Sequence, residues 1–534
     1  MTSQTARRRR FVSTAIPYVN AAPHVGFALE AVQADALARY YRQRGDDVLL
    51  QSGTDENSLK NVLAAEAAGI AVEDLVAANA GRFRDLAGSL GVAYGRFVRT
   101  SADPGHRIGV ERFWKACAAR GDLYRRSYSG RYCTGCEQFY ADEDLAAGLC
   151  PEHGTDPETV EEENWFFRLS RYADALRDAI VSGRLDILPA GRRNEALAWI
   201  DRGLDDFSVS RSASRARGWG IPVPGDPSQV IYVWFDALVN YVTGPGYGSD
   251  EEGFEAWWAE ASSREHVIGK GITRFHAVYW PAILLSAGLP LPDRILVHGY
   301  LTAEGRKIGK SSGNAIDPVP FAARFGADAL RYYLLRHVSP SEDGDFSLAR
   351  LEQAYSSELA GQLGNLANRV LSLVLRLRAG VIPGLPSGTG NRLLAAAEAL
   401  PGKVSASTER FAFDRALDEA WRLVGEANSY VAGEAPWALG ADPAQADRLD
   451  TVLASLCAAL AVLSSCLAPF LPQTARSLAG KLGLASPPPL GVRPDLAGNR
   501  VETGEVLFPK PPVTLSPSHG RGTLAPWTGR SSRG

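Results

Sequence analysis

Methionine is all but missing: Met1 is the only one in 534 residues, and core positions that usually accept it hold Leu, Ile or Val. Cysteine is sparse as well, with Cys117, Cys133, Cys136, Cys150, Cys457 and Cys466 making up the whole set. Three of these cluster with a histidine, and the others stand alone in apolar, helical surroundings. That usage suits a reducing compartment and excludes a disulfide framework. An excess of one charge is also lacking. The net charge of −3 excludes a general nucleic-acid coat, so any RNA surface must be a local basic patch. No apolar run is expected to reach the ~20 residues that span a bilayer, which sets aside a membrane role. Arg7, Arg8, Arg9 and Arg10 precede a strand-like segment, with no apolar h-region and no small-residue cleavage site. They read as a solvated terminus, not as a signal peptide. A cytoplasmic location is the expectation.

What is there is ordinary in bulk, with 45% hydrophobic and 22% charged residues. The length calls for more than one core, since single domains usually run ~100–200 residues. Strand-like residues 11–16, helical periodicity over 25–45, a strand at 47–51 and a helix over 58–68 follow in order. This β-α-β sequence predicts a parallel sheet covered by helices. Residues 124–164 break the pattern with short turns, cysteines and an acidic stretch, as an insertion does. Alternation resumes with strands expected at 230–236 and 266–268. From 348 to 484 the chain is almost entirely helical by pattern, and Pro487, Pro488 and Pro489 interrupt it. Beyond 510 it is rich in Pro, Ser, Gly and Arg and is expected to be disordered.

Three segments carry chemistry. Pro17-Tyr18-Val19-Asn20-Ala21-Ala22-Pro23-His24-Val25-Gly26-Phe27 follows a strand and opens a helix, where free backbone N–H groups favour a phosphate. Gly26 permits close approach, and His24 can donate to phosphate oxygens. A histidine at a helix start is more often a cap. Gly305-Arg306-Lys307-Ile308-Gly309-Lys310-Ser311-Ser312 places two lysines three apart in a Gly/Ser-rich loop, a cationic clamp for a leaving pyrophosphate. It lacks P-loop spacing, and alone it reads as a solvated basic loop. Cys133-x2-Cys136-x13-Cys150-x2-His153 offers three thiolates and an imidazole, enough for one closed, structural Zn2+ site; buried thiols with a surface histidine are the bland alternative.

Together the first two segments resemble the HIGH and KMSKS signatures of class I aminoacyl-tRNA synthetases. Gly53-Thr54-Asp55-Glu56, Trp165-Phe166-Phe167-Arg168-Leu169-Ser170 and Arg193-Asn194-Glu195 narrow the resemblance to methionyl-tRNA synthetases. So do Trp219-Gly220-Ile221-Pro222-Val223-Pro224-Gly225, Val233-Trp234-Phe235-Asp236-Ala237-Leu238 and Arg274-Phe275-His276-Ala277-Val278-Tyr279-Trp280-Pro281. The resemblance covers residues 11–510. It implies an α/β Rossmann-like parallel sheet split over 1–123 and 165–297, with a zinc-knuckle insertion at 124–164. A KMSKS-type loop and stem-contact region over 298–347, an all-α anticodon-binding domain over 348–509 and a tail at 510–534 complete it.

By the same resemblance the methionine pocket falls on Ile16, Tyr18, Asp55, Trp234, Ala237, Tyr241, Ile272, His276 and Trp280. Asp55 would accept from the substrate ammonium. Tyr18, Trp234 and Trp280 would wall a polarisable thioether, and His276 with Tyr241 would hydrogen-bond its sulfur. Taken singly, each aromatic reads as core. Asn20, His24, Gly26, Glu30, Lys307, Lys310 and Ser311 match the ATP side, with Mg2+ entering on ATP and His24, Lys307 and Lys310 as the catalytic set. Asn365, Arg369, Pro436 and Trp437 match anticodon-reading positions, the tryptophan stacking on an unpaired base. The implied reaction joins methionine and ATP to methionyl-adenylate and passes the methionyl group to tRNA(Met). A monomer is expected, because no dimerisation domain follows Lys510.

Four departures fall on the nucleotide side. Phe27 replaces the second histidine of HIGH, Asn57-Ser58 a His-Gly, Gly271 an aspartate, and Ile308-Gly309 the middle of KMSKS. A hydrogen bond to a charged group is worth ~1.5–3 kcal/mol, so slow turnover is one expectation. With the missing methionine, they also lead to the expectation of a divergent second copy, tolerant of an inhibitor of the main enzyme. Two rival functions stay open here: an adenylate-forming ligase with a non-tRNA acceptor, and a low-activity tRNA-binding paralogue.

Overall fold

The computed structural model describes residues 7–133, 138–140, 142–151, 154–303, 305–308, 316–386 and 390–510. Its centre is a six-stranded parallel sheet of β1 (Arg9–Thr14), β2 (Asp47–Thr54), β3 (Arg96–Arg99), β4 (Asp186–Leu188), β5 (Ser263–Gly269) and β6 (Arg294–His298). In space the order is β3-β2-β1-β5-β6-β4, all pairs parallel. Both faces are covered, and the side-chain alternation shows it. Val12, Val267 and Leu296 belong to one hydrophobic core. Their chain neighbours Phe11, Ile268, Ile295 and Val297 belong to the other. A period of two with apolar residues on both faces is what a doubly covered parallel strand requires.

The strand expected at 230–236 is corrected by the structure. A short antiparallel strand ends at Ile231, and the helix α2 (Val233–Thr243) begins two residues later. This helix is buried on nearly every side, so its apolar residues carry no readable helical period. The insertion is also more regular than short turns. Leu123–Cys133 pairs antiparallel with Glu158–Phe167, flanked by Gln138–Tyr140 and Phe207–Ser208, as one four-stranded sheet.

From residue 365 to 481 the described chain is mostly helical, the longer helices being Asn365–Arg378, Arg392–Thr408, Phe413–Glu434, Ala446–Leu467 and Pro472–Lys481. The expectation that no stretch is apolar enough to span a bilayer fails at Pro443–Leu467, whose mean hydropathy reaches 1.8. Its apolar window is 89% buried, because it is the central helix of this bundle. The bundle shares one continuous core with helix α1 (Val25–Gln43) and the sheet. Arg331 rivets them: fully buried, it pairs with Asp35 of α1 at 2.7 Å and donates to the carbonyls of Phe470 and Pro469.

Candidate active site

β1, β2 and β3 are laid down outward in one direction, whereas β5 and β6 lie on the other side of β1. The order therefore reverses between β1 and β5, and ligands of doubly wound sheets bind beyond the strand ends at that point. A cavity of 620 Å3 opens there, lined by Ala15 and Ile16 after β1, Gly269 of β5 and His298 of β6. Ligand pockets usually measure ~300–1,000 Å3.

The first motif forms one wall. His24 caps α1 in an extended conformation, and its Nδ1 accepts the Gly26 N–H at 3.1 Å. In the neutral ring that acceptor role leaves the proton on Nε2. Phe27, at the departure from HIGH, lines the cavity and packs its ring 4.4 Å from His24 and 5.1 Å from Phe83. A second imidazole is thus replaced by packing that holds the first. Glu30 is a strut: one carboxylate oxygen accepts from Ala15 N at 3.0 Å, and the other faces His298 Nε2 at 3.0 Å. Asn20 and Gly26 also line the cavity.

The opposite wall holds the predicted amino-acid pocket. Ile16, Tyr18, Asp55, Trp234, Ala237, Tyr241, Ile272 and His276 all line the cavity. An isolated parallel bridge between Tyr18 and Asp55 prolongs the β1–β2 pairing and brings both to the opening. Trp234 stands edge-on to Tyr18 at 6.2 Å and stacks on Phe275 at 3.7 Å. Its buried indole N–H has no hydrogen-bond partner among the described residues. Asn57, another departure, donates 2.6 Å to Asp236 of α2. His106 holds the other oxygen of that carboxylate at 2.6 Å. The segment after β2 is thereby tied to the helix that presents Trp234. Ser58 caps the following helix by accepting from Lys60 N at 3.0 Å.

One expectation for this wall is corrected. Trp280 is fully buried and does not line the cavity; its indole N–H donates 3.1 Å to His266 Nε2. It stands behind Tyr241, ring to ring at 5.8 Å. His276 and Tyr241, expected to reach the sulfur, both line the cavity and are hydrogen-bonded to each other. His276 Nδ1 lies 3.0 Å from the Ile272 carbonyl, which accepts only, so the ring proton sits on Nδ1. Nε2 then accepts from the Tyr241 hydroxyl at 2.8 Å. Both polar hydrogens are used inside the wall. Burial pushes the imidazole down to about 4 and the tyrosine well above its ordinary value, so the pair stays neutral.

Lys307 lies on the short strand Arg306–Lys307, paired with Leu301–Ala303 at the cavity's edge. Lys310 and Ser311 lie outside the described residues, and so does the tail from 511 on. In the insertion Cys133 and Cys150 share one small buried cluster with Tyr140, whose hydroxyl lies 3.7 Å from the Cys150 sulfur. Cys136 and His153 lie outside the described residues. Far off in the bundle, Asn365 and Arg369 are one turn apart on one helix. The Arg369 guanidinium lies 5.3 Å over the ring of Trp437, which is 45% exposed, and Pro436 beneath is buried.

Sequence reasoning passes over several cavity residues: Lys60, Tyr140, Pro151, His298 and Tyr300. The last two follow Ile295-Leu296-Val297, a short apolar run before the lysine loop that could have marked a strand ending at the site.

Residues 10–159 and 153–371 match the family model described as tRNA synthetases class I (M). A methionine–tRNA ligase of Caldanaerobacter subterraneus subsp. tengcongensis is 38% identical over 509 residues, 94% of this chain and 78% of the relative. One from Brucella suis biovar 1 is 40% identical over 480 residues, 89% of this chain and 91% of the relative. The solved structure of Mycobacterium tuberculosis methionyl-tRNA synthetase in complex with methionyl-adenylate superposes with a TM-score of 0.89 at 38% identity. That match covers 94% of this chain and all of the other.

Proposed function

The chain belongs to the methionine–tRNA ligase family of class I tRNA synthetases, and from that premise we propose how its residues perform the ligation. It is an aminoacyl-tRNA ligase: methionine is activated with ATP to methionyl-adenylate, and the methionyl group passes to tRNA with release of AMP and pyrophosphate. The observation that carries the assignment of roles is the shared cavity. The N-terminus of α1 and the Tyr18–Asp55–Trp234 wall open into one space at the switch point of the sheet.

Asp55 receives the methionine ammonium, and Trp234 and Tyr18 enclose the side chain, a soft thioether against aromatic faces. The carboxylate is thus turned toward α1. There the Gly26 turn and His24 Nε2–H bind phosphate oxygens, helped by the helix dipole. The carboxylate attacks the α-phosphorus in line and pyrophosphate leaves, its charge assigned to Lys307 and Lys310. Mg2+ enters with ATP. No protein nucleophile takes part, so the rate gain comes from positioning and charge stabilisation. The terminal adenosine of tRNA then attacks the adenylate carbonyl, and AMP departs.

Zinc is assigned to Cys133, Cys136, Cys150 and His153. The burial of Cys133 and Cys150 in one small cluster supports two of these four positions. A closed site of this kind supplies a cross-link. Here it would hold Tyr140 and Pro151 at the rim of the cavity. Trp437, Arg369 and Asn365 are assigned to the anticodon, and the cytoplasm to the location. Methionine-dependent ATP–pyrophosphate exchange, followed by charging of tRNA with a CAU anticodon, tests the reading. Exchange without charging would replace the tRNA by another acceptor, and neither activity would leave a binding paralogue.

A further inference from the structure

At the ends of β5 and β6 two residues compete for one volume. Gly271 lies in the single turn Lys270–Ile272 directly after β5, and Tyr300 follows His298 and Gly299 after β6. A Cβ atom on Gly271 would stand 2.1 Å from the Tyr300 hydroxyl oxygen and 3.2 Å from its Cζ. The tip of the tyrosine therefore stands where a Cβ on residue 271 would be, and would have to turn aside to admit one. The ring is held there from behind. Tyr300 N donates 2.8 Å to Asp343, and Lys270 Nζ lies 4.6 Å from the ring centroid while pairing with the same aspartate at 2.7 Å.

Both residues line the 620 Å3 cavity. With phosphates at the start of α1, the nucleoside half of a bound nucleotide has the ends of β5 and β6 to lie against. Gly269 and Gly271 leave bare backbone there, and the hydroxyl of Tyr300 is set over it. A phenol both donates and accepts, which suits the paired hydroxyls of a ribose.

We propose that Tyr300 positions the ribose of ATP from the end of β6, its hydroxyl standing in the volume that glycine at 271 leaves open. The proposal rests on the ATP reading of the cavity. The test is ATP–pyrophosphate exchange by the full chain with saturating methionine. Tyr300→Phe should raise KM for ATP roughly 3- to 10-fold, the worth of one neutral hydrogen bond. kcat and KM for methionine should stay within about twofold, since only nucleotide binding is touched. The deoxy-ATP, 2′ or 3′, that the unmodified enzyme disfavours more should lose most of that penalty in Tyr300→Phe. Gly271→Ala should be harmful in the unmodified chain and markedly less so beside Tyr300→Phe, where the 2.1 Å neighbour is gone. An unchanged KM for ATP with an unchanged deoxy penalty overturns the ribose contact. An equal cost of Gly271→Ala in both backgrounds overturns the shared volume. No exchange by the unmodified chain overturns the ATP reading beneath it.

Discussion

The Tyr241 hydroxyl donates 2.8 Å to His276 Nε2, and the same ring donates through Nδ1 to the Ile272 carbonyl at 3.0 Å. With both hydrogens committed in this way, we propose that the wall selects its ligand by shape and aromatic contact. Tyr241→Phe should therefore leave the preference for methionine over norleucine within about twofold, while orphaning a buried nitrogen at a cost of roughly 1–3 kcal/mol in stability. Competitive exchange assays and urea unfolding read the two effects. A collapse of the preference would mean that the hydroxyl serves the sulfur after all.

Stability should fall on mild acidification. Burial pushes His276 from 6.5 down to about 4, and His266 beside it is pushed well below 6.5 too. The unfolded chain binds more protons than the folded one between those two values. The contribution is thus complete above pH 6.5 and is lost as pH falls toward 4. His276 alone accounts for roughly 3 kcal/mol across that window. Urea unfolding at pH 7 and pH 5 should show the drop, and His276→Gln should flatten it. Equal slopes in both proteins would remove His276 from the account.

Trp437 and Arg369 make one stacked pair at the surface of the bundle, with the tryptophan 45% exposed. Trp437→Ala should weaken tRNA in the charging reaction by about 1–3 kcal/mol, the usual worth of one stacked base. Exchange without tRNA should not change. A defect in exchange would point to damage of the fold instead.

Metal analysis should find one zinc per chain. Cys150→Ser should lower that content and raise KM for the small substrates, because Tyr140 and Pro151 lose their support at the cavity rim. Full zinc occupancy in Cys150→Ser would exclude that thiolate from the site.

How much of this is legible in the sequence depends on local pattern. The segment from Tyr18 to Phe27 can be read because a strand end, a glycine and a helix start carry their chemistry in consecutive residues. Val233-Trp234-Phe235 reads wrongly as strand because burial on all sides erases the period that separates helix from strand. The acidic run within Glu158–Phe167 looks like loop, yet Glu161 and Glu163 sit opposite Ser129 and Ser127, and Glu163 pairs with Arg125 at 3.1 Å. Only the cross-strand partner, distant in sequence, explains that polarity. The proton placement on His276 depends on a carbonyl and a hydroxyl that no spacing rule brings together. Trp280 reads as a ligand contact because its motif is contiguous with His276, although its indole points to His266.

Arg331 closes the gap between the helix that begins at His24 and the bundle that carries Trp437. Removing a buried partner of this kind costs about 3–5 kcal/mol, so the two parts resist being pulled apart. On the proposed assignment, a long, bent polymer held at both places would meet a stiff gauge. The flexing needed to bring its far end to the reacting carbonyl would then fall to the RNA.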